Sequence, residues 1–254
     1  MNKKILPFIC LAVLATMSIF SCKKADPVTQ LTDENARYIP LEKGKYITYN
    51  VDSTIWYDTA CVKLVKKYQM MYTVADTFTD AQGRLSYRID TRIRELTGQS
   101  WTLHDVLYVT PTDVNLEWAQ SGLRQVKMIF PVRERATWKG NSYVPTNDAD
   151  LKFYDGWDFY YSNVGESFNT GEVIYPNTLI VNQVDRVEND PERIPEAHAS
   201  RTYGKEVFAD GIGLVYKEYI RWTYNPEAYF NNDPDQPNRC RKGTSVVMRA
   251  VDHN

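Results

Sequence analysis

The sequence predicts a mainly-β fold: one antiparallel meander of about ten strands, bent into a curved sheet or half-open barrel with one plugging α-helix. Three observations carry that expectation. Period-two alternation of apolar and polar residues runs through most of the chain from Lys45 onward. Aromatic residues make up 13% of the chain, with 18 Tyr and 6 Trp, while Gly and Pro stand at 12 each, a balance that suits strands separated by turns. One segment, Ala197 to Ala209, instead has Ala199, Tyr203 and Val207 recurring every four residues, which reads as the helix.

Taken in order, Lys45 to Tyr57 sets Ile47, Tyr49, Val51, Ile55 and Tyr57 on one face against Thr48, Asn50, Asp52 and Thr54 on the other. Val62, Leu64, Tyr68, Met70, Tyr72 and Val74 continue the alternation, and Asp80-Ala81-Gln82-Gly83 supplies a turn. The next strand, Arg84 to Leu96, places Leu85, Tyr87, Ile89 and Ile93 opposite Arg84, Ser86, Arg88, Asp90, Arg92 and Arg94. Shorter runs extend the meander: Trp101 to Val109, Val114 to Trp118, Leu123 to Phe130, Trp157 to Tyr161, Thr178 to Val187, Leu214 to Tyr224 and Thr244 to Val251. A curved sheet of this length must cover its concave side, and the segment 197–209, with Ser200 as a cap and Asp210-Gly211 as a stop, is the available plug.

The first residues carry an address. Asn2-Lys3-Lys4 precedes an apolar run of 16 residues, Ile5 to Phe20, which is short for a bilayer span and suits a signal h-region. Ile19-Phe20-Ser21-Cys22 resembles a lipobox, so residues 1–21 read as a lipoprotein signal peptide and Cys22 as the lipidated first residue of the mature chain. An ordinary secretory signal cut near Ser21 is the alternative. Several acyl chains at about 0.8 kcal/mol per buried methylene give stable anchoring, so the protein is expected to lie on a membrane without crossing it. Residues 22–38 form a polar tether with no aromatic residue before Tyr38, and the β-rich domain spans residues 39–254. Lys23-Lys24-Ala25-Asp26 offers one acidic residue beside Cys22, which prefers a periplasm-facing position on the outer membrane over surface exposure.

Of 4 cysteines, Cys10 leaves with the signal and Cys22 is lipidated, so Cys61 and Cys240 remain. In an exported protein two thiols suggest one disulfide. That bond closes a loop of about 180 residues, worth at most roughly 5 kcal/mol, and brings the second strand to the start of the last. Two separate thiols remain the other reading. With 30 basic and 32 acidic residues the formal net charge is -2, which argues for no nucleic-acid partner.

A family resemblance rests on three blocks. Val126-Lys127-Met128-Ile129-Phe130-Pro131-Val132, then Thr137-Trp138-Lys139-Gly140-Asn141, then Tyr203 through Glu218 resemble a group of uncharacterised Bacteroidota-type lipoproteins. That group brings no activity with it. The signal, the long meander and the helix before the strand 213–224 also resemble the half-open barrels of LolA and LolB, in architecture alone. The blocks have physical readings too: Pro131 ends a strand, Trp138 anchors packing beside the turn Lys139-Gly140-Asn141, and Gly211 and Gly213 suit positive φ.

No catalytic set stands out. His104, His198 and His253 are widely spaced and support no metal site, and no GxSxG, Walker glycine loop or Cys–His pair occurs. Asp76 with Asp80 and Asp148 with Asp150 are carboxylate pairs that solvated turns explain, and Asp155 with Asp158, flanking Gly156-Trp157, has the residue types of a glycosidase pair, although no sequence spacing fixes their separation in space. Arg84, Arg88, Arg92 and Arg94 fall on one strand face and could grip an anion bidentately, although an outer face paired with its neighbours explains them more simply. No catalytic residue, metal or cofactor is therefore assigned. Two functional readings follow: non-enzymatic binding of an apolar or lipid-like ligand, or of another envelope protein; and binding or hydrolysis of glycans through aromatics and carboxylates. A concave face lined by Leu, Ile, Val and Met favours the first, and coplanar, exposed Trp or Tyr beside acids favours the second.

Overall fold

The computed structural model describes residues 36–58, 61–95, 97–226 and 240–254, so the signal peptide, Cys22 and most of the tether lie outside the described residues. Twelve strands make a single antiparallel sheet. They are β1 (Tyr46–Tyr57), β2 (Val62–Thr79), β3 (Leu85–Arg94), β4 (Thr102–Pro111), β5 (Asn115–Gln120), β6 (Leu123–Ile129), β7 (Thr137–Trp138), β8 (Phe159–Asn169), β9 (Ile174–Glu188), β10 (Ala199–Ala209), β11 (Gly213–Tyr224) and β12 (Arg241–His253). Each strand pairs with its sequence neighbour, except that β1 pairs with β12 and β6 does not pair with β7. The two ends of the domain thus meet in the middle of the sheet, and its two edges come from consecutive strands.

Those edges are brought together without a ladder. Trp138 Nε1 donates to Val126 O at 2.8 Å and Val126 N donates to Gly140 O at 2.8 Å. The Tyr161 hydroxyl accepts from Ile129 N and donates to Ile129 O, both at 2.9 Å. The block Thr137 to Asn141 is therefore the seam of a nearly closed barrel, and Trp138 is the packing anchor expected of it. Closure removes the exposed strand edges that a long open sheet would present.

The expected plugging helix over Ala197 to Ala209 is absent: residues 199–209 are strand β10, fully paired with β9 and β11. The reason is arithmetic. A four-residue spacing is a multiple of two, so Ala199, Tyr203 and Val207 also share one face of a strand. Thr202, Tyr203, Val207 and Phe208 prefer a pleated surface, and Gly204 weakens a helix interior. Asp210-Gly211 turns the chain directly into β11, with Gly211 at φ 71° and Gly213 at φ 106°.

Two other segments cover the sheet. At one end of the lumen Tyr38 and Ile39 are buried in the core. They are fixed there by Gly211 N donating to Arg37 O at 2.6 Å and by an Arg37–Asp210 ion pair. On the outside, the tip of the β8–β9 hairpin bends over β11, β12 and β1. Phe168 stacks against Tyr216 at 5.2 Å, Tyr175 OH donates to Ala250 O at 3.2 Å, and Asn50 Nδ2 donates to Glu172 at 3.3 Å. Cys61 and Cys240 form the disulfide, with Cα atoms 5.1 Å apart, joining the starts of β2 and β12.

Candidate ligand cavity in the barrel lumen

The lumen has two unlike compartments that share Trp118. The first, about 70 Å³, is apolar and lies at the plugged end, with Tyr38, Ile39, Leu41, Ile89, Phe208 and Leu214 among its walls. The buried Tyr49 hydroxyl donates to Leu214 O at 2.8 Å, and burial pushes its pKa well up. The Tyr72 ring packs 5.2 Å from Tyr49 and 6.3 Å from Trp118, completing the partition.

The second compartment, about 230 Å³, is polar and aromatic. Its charged floor comes from three strands. Between β5 and β6 the pairs Leu116↔Met128 and Glu117↔Val126 leave Lys127 as the extra residue of a bulge. Between β9 and β10 the pairs Val184↔Gly204 and Asn182↔Lys205 leave Gln183 in the same position. Bulges re-aim side chains, and both of these residues end up buried. Glu206 stands directly opposite Lys217 in the β10–β11 ladder. Lys127 Nζ donates to Glu206 Oε1 at 2.9 Å, and Lys217 Nζ stands 3.7 Å from the same oxygen. The Lys127 and Glu206 side chains are 6% and 3% exposed, so this pair is shielded from solvent, while Lys217, at 28%, borders the open volume.

Burial alone would raise the Glu206 pKa, but Lys127 first and Lys217 second outweigh it and hold the carboxyl below its ordinary value. Lys217 is shifted down, first by burial and further by Lys127, with Glu206 opposing. Gln183 faces the Glu206 carboxylate and helps keep it ionised, although neither Gln183 Nε2 nor Glu206 Oε2 makes a well-formed hydrogen bond. Among the described residues three buried side-chain polar atoms have no partner, and two of them, Gln183 Nε2 and Glu206 Oε2, belong to this cavity. Gly204 gives Gln183 its room, since a Cβ there would lie 2.8 Å from Gln183 Oε1.

The walls are Trp118, Tyr154, Trp157 and Tyr219. Trp157 Nε1 donates to Phe153 O at 2.7 Å, and its ring lies 5.1 Å from Tyr154 at 53°. Gln125 Nε2 donates to Asn141 Oδ1 at 2.7 Å, and Asn141 Nδ2 to Tyr154 O at 3.0 Å, which ties this wall to the barrel seam. Tyr154 and Trp157 are thus tilted to one another and form no flat platform. Chemically the cavity offers one loosely paired donor, Lys217 Nζ, whose carboxylate neighbour is Glu206 Oε1 at 3.7 Å, one unpaired donor, Gln183 Nε2, and one unpaired acceptor, Glu206 Oε2, beside apolar ring faces.

The residues singled out from the sequence lie elsewhere. Arg84, Arg88, Arg92 and Arg94 are on the outer face, engaged by neighbours. Arg84 pairs with Asp80 at 2.7 Å and Glu117 at 3.0 Å, and Arg88 and Arg92 share Asp90 at 3.3 and 2.9 Å. Arg94 donates to Gln69 at 2.8 Å and lies 4.4 Å over Trp101. Asp76 pairs with Lys43 and Asp158 with Lys139, while Asp148 accepts from Asp150 N in a turn. His104, His198 and His253 are exposed and far apart in the sheet. Among the described residues no group of three or more His, Cys, Asp or Glu is placed to hold a metal. Lys127, Gln183, Glu206 and Lys217 were not singled out. The one sequence signal for them is a charged or amide residue inside an otherwise apolar stretch, as in Val126-Lys127-Met128 and Glu206-Val207-Phe208.

No family model matches the sequence, and no curated protein matches it either. A solved structure to which it is similar is a protein presumed to be exported, with a YmcC-like fold, from Bacteroides fragilis. The identity is 13%, the match covers 83% of this chain and 97% of that one, and the TM-score is 0.35. A likeness that slight says nothing about what this chain binds.

Proposed function

We propose that this protein is a non-enzymatic envelope lipoprotein, tethered through Cys22, that binds a small polar ligand of about one sugar ring in the polar compartment of its lumen. The observation that carries the reading is the pair of buried, unpartnered atoms, Gln183 Nε2 and Glu206 Oε2, on the cavity floor. Orphaned buried polar groups each cost roughly 1–3 kcal/mol, a cost that a polar occupant removes. The aromatic walls suit the apolar faces of a sugar. The lipid-like reading has less support, because the apolar compartment, partly filled by Tyr38 to Leu41, holds only about 70 Å³. That is well below the roughly 300–1,000 Å³ of ordinary ligand pockets.

Tryptophan fluorescence and calorimetry with a panel of monosaccharides, small hydroxy acids and amino acids test the binding reading. Saturable binding that is lost in Trp118→Ala supports it, and silence across the panel, or binding indifferent to Trp118, overturns it. The tether is tested separately. Cys22→Ser should move the protein to the soluble fraction, and continued pelleting with membranes would refute the anchor.

A further inference from the structure

We infer that the lumenal ligand is an acidic sugar, a carboxylate with neighbouring hydroxyls on a ring, whose carboxylate is held by Lys217 and Gln183 while a hydroxyl donates to Glu206. This rests on the reading of the cavity given above and adds the charge of its occupant.

The charge count around the cavity leads there. Inside it are Lys127, Lys217 and Glu206. At its rim, Arg221 lies two residues along β11 from Tyr219, its guanidinium 3.6 Å over Phe153, and Asp105 accepts from Gln120 Nε2 at 2.9 Å. Three cations thus face two carboxylates. Lys127 and Glu206 satisfy each other, and Asp105 is engaged by Gln120. Lys127 and Lys217 share the one carboxylate on the cavity floor, their Nζ atoms 2.9 and 3.7 Å from Glu206 Oε1, so one of the two positive charges there is in excess, and Lys217, the more loosely held and the more exposed, is the one that can turn to an occupant. A charge so enclosed favours an anionic partner.

Hydrogen-bond valence then narrows the anion. A bare anion would use the two donors but would sit against Glu206 Oε2, an ionised acceptor with nothing to receive. A hydroxyl next to the carboxylate resolves this, donating to Oε2 while the carboxylate takes Lys217 and Gln183. The ring follows from the walls: Trp118, Tyr154, Trp157 and Tyr219 enclose a volume of about 230 Å³, just under that of an ordinary ligand pocket, and present ring faces to the occupant.

Calorimetric titration of the detergent-purified full chain with sodium glucuronate and with glucose tests this. Glucuronate should bind at least about tenfold tighter than glucose. Lys217→Met should abolish that preference, bringing glucuronate affinity down to that of glucose for the same variant, and Lys217→Arg should keep it. Should the methionine variant fail to fold cooperatively, Lys217→Gln serves in its place. Equal affinity for the two sugars, or a preference that survives loss of the Lys217 charge, overturns the acidic-sugar assignment and leaves lumenal binding standing. No binding of either sugar overturns the assignment as well, and silence across the wider panel removes the reading beneath it.

Discussion

The molecule carries two conspicuous sets of charge, and they behave oppositely. Outside, Arg84, Arg88, Arg92 and Arg94 form a row at and along β3, each engaged by a neighbouring side chain. Inside, Lys127, Glu206 and Lys217 come from β6, β10 and β11, and they leave one acceptor and one ammonium incompletely satisfied. In the outer row Arg88 and Arg92 reach solvent, 45% and 33% exposed, so each of their pairs with Asp90 contributes little on its own. The inner set is desolvated, so each group depends on the others. An arrangement costly to keep and incompletely paired is better suited to an occupant than to holding the fold.

The largest effect should come from removing the shared anion. Glu206→Ala leaves two ammonium groups facing each other in the lumen and should cost about 3–5 kcal/mol in urea unfolding. A loss below about 1 kcal/mol would erase the contrast between the two sets. The same residue sets an acid limb. Its folded pKa lies below the ordinary 4.5, so its contribution is complete above that pH and is lost as pH falls through the folded value. The parent protein should therefore lose stability on acidification more steeply than Glu206→Ala. Replacing all three groups by Lys127→Met, Glu206→Leu and Lys217→Met should return stability to within about 1 kcal/mol of the parent, or above it, since well-packed apolar groups often match a buried ionic cluster. That protein should bind no polar ligand; retained binding would place the site elsewhere.

A smaller effect is expected one step from the triad. Gly204→Ala puts a Cβ 2.8 Å from Gln183 Oε1 and must displace the amide that faces Glu206. Crowding of this kind costs about 1–3 kcal/mol, and here it should also weaken ligand binding. If Gly204→Ala destabilises the fold without touching affinity, Gln183 is a packing residue and not a donor to the ligand.

The same contrast explains what could be read from the chain. The outer row was legible because period two is a local property: Arg84, Arg88, Arg92 and Arg94 share a face by counting alone. So were the meander, the Asp80 to Gly83 turn, where Gly83 N donates to Asp80 O at 2.9 Å, and the pairing of Cys61 with Cys240. The inner triad was not, because its members are 79 residues apart at Lys127 and Glu206 and meet only when the barrel closes. Two of the cavity's polar residues, Lys127 and Gln183, sit at bulges, which shift the alternation without a glycine or proline to mark them. The misplaced helix has a related cause, since Ala199, Tyr203 and Val207 satisfy both periods and only the partners of β10 decide between them.

The smallest effects should fall on the outer row, where they test whether its pairs back one another up. Arg88 and Arg92 both reach Asp90, at 3.3 and 2.9 Å, and their side chains are 45% and 33% exposed. Either Arg88→Ala or Arg92→Ala leaves Asp90 one partner, so each should cost no more than about 0.5 kcal/mol. The double replacement strands an aspartate whose side chain is 12% exposed and should cost more than the two single losses together. Additive losses in urea unfolding would mean that Asp90 needs neither arginine, and that the row is there for solubility. Single losses as large as that of Glu206→Ala would mean the outer face is as desolvated as the lumen, and the distinction between the two sets would fail.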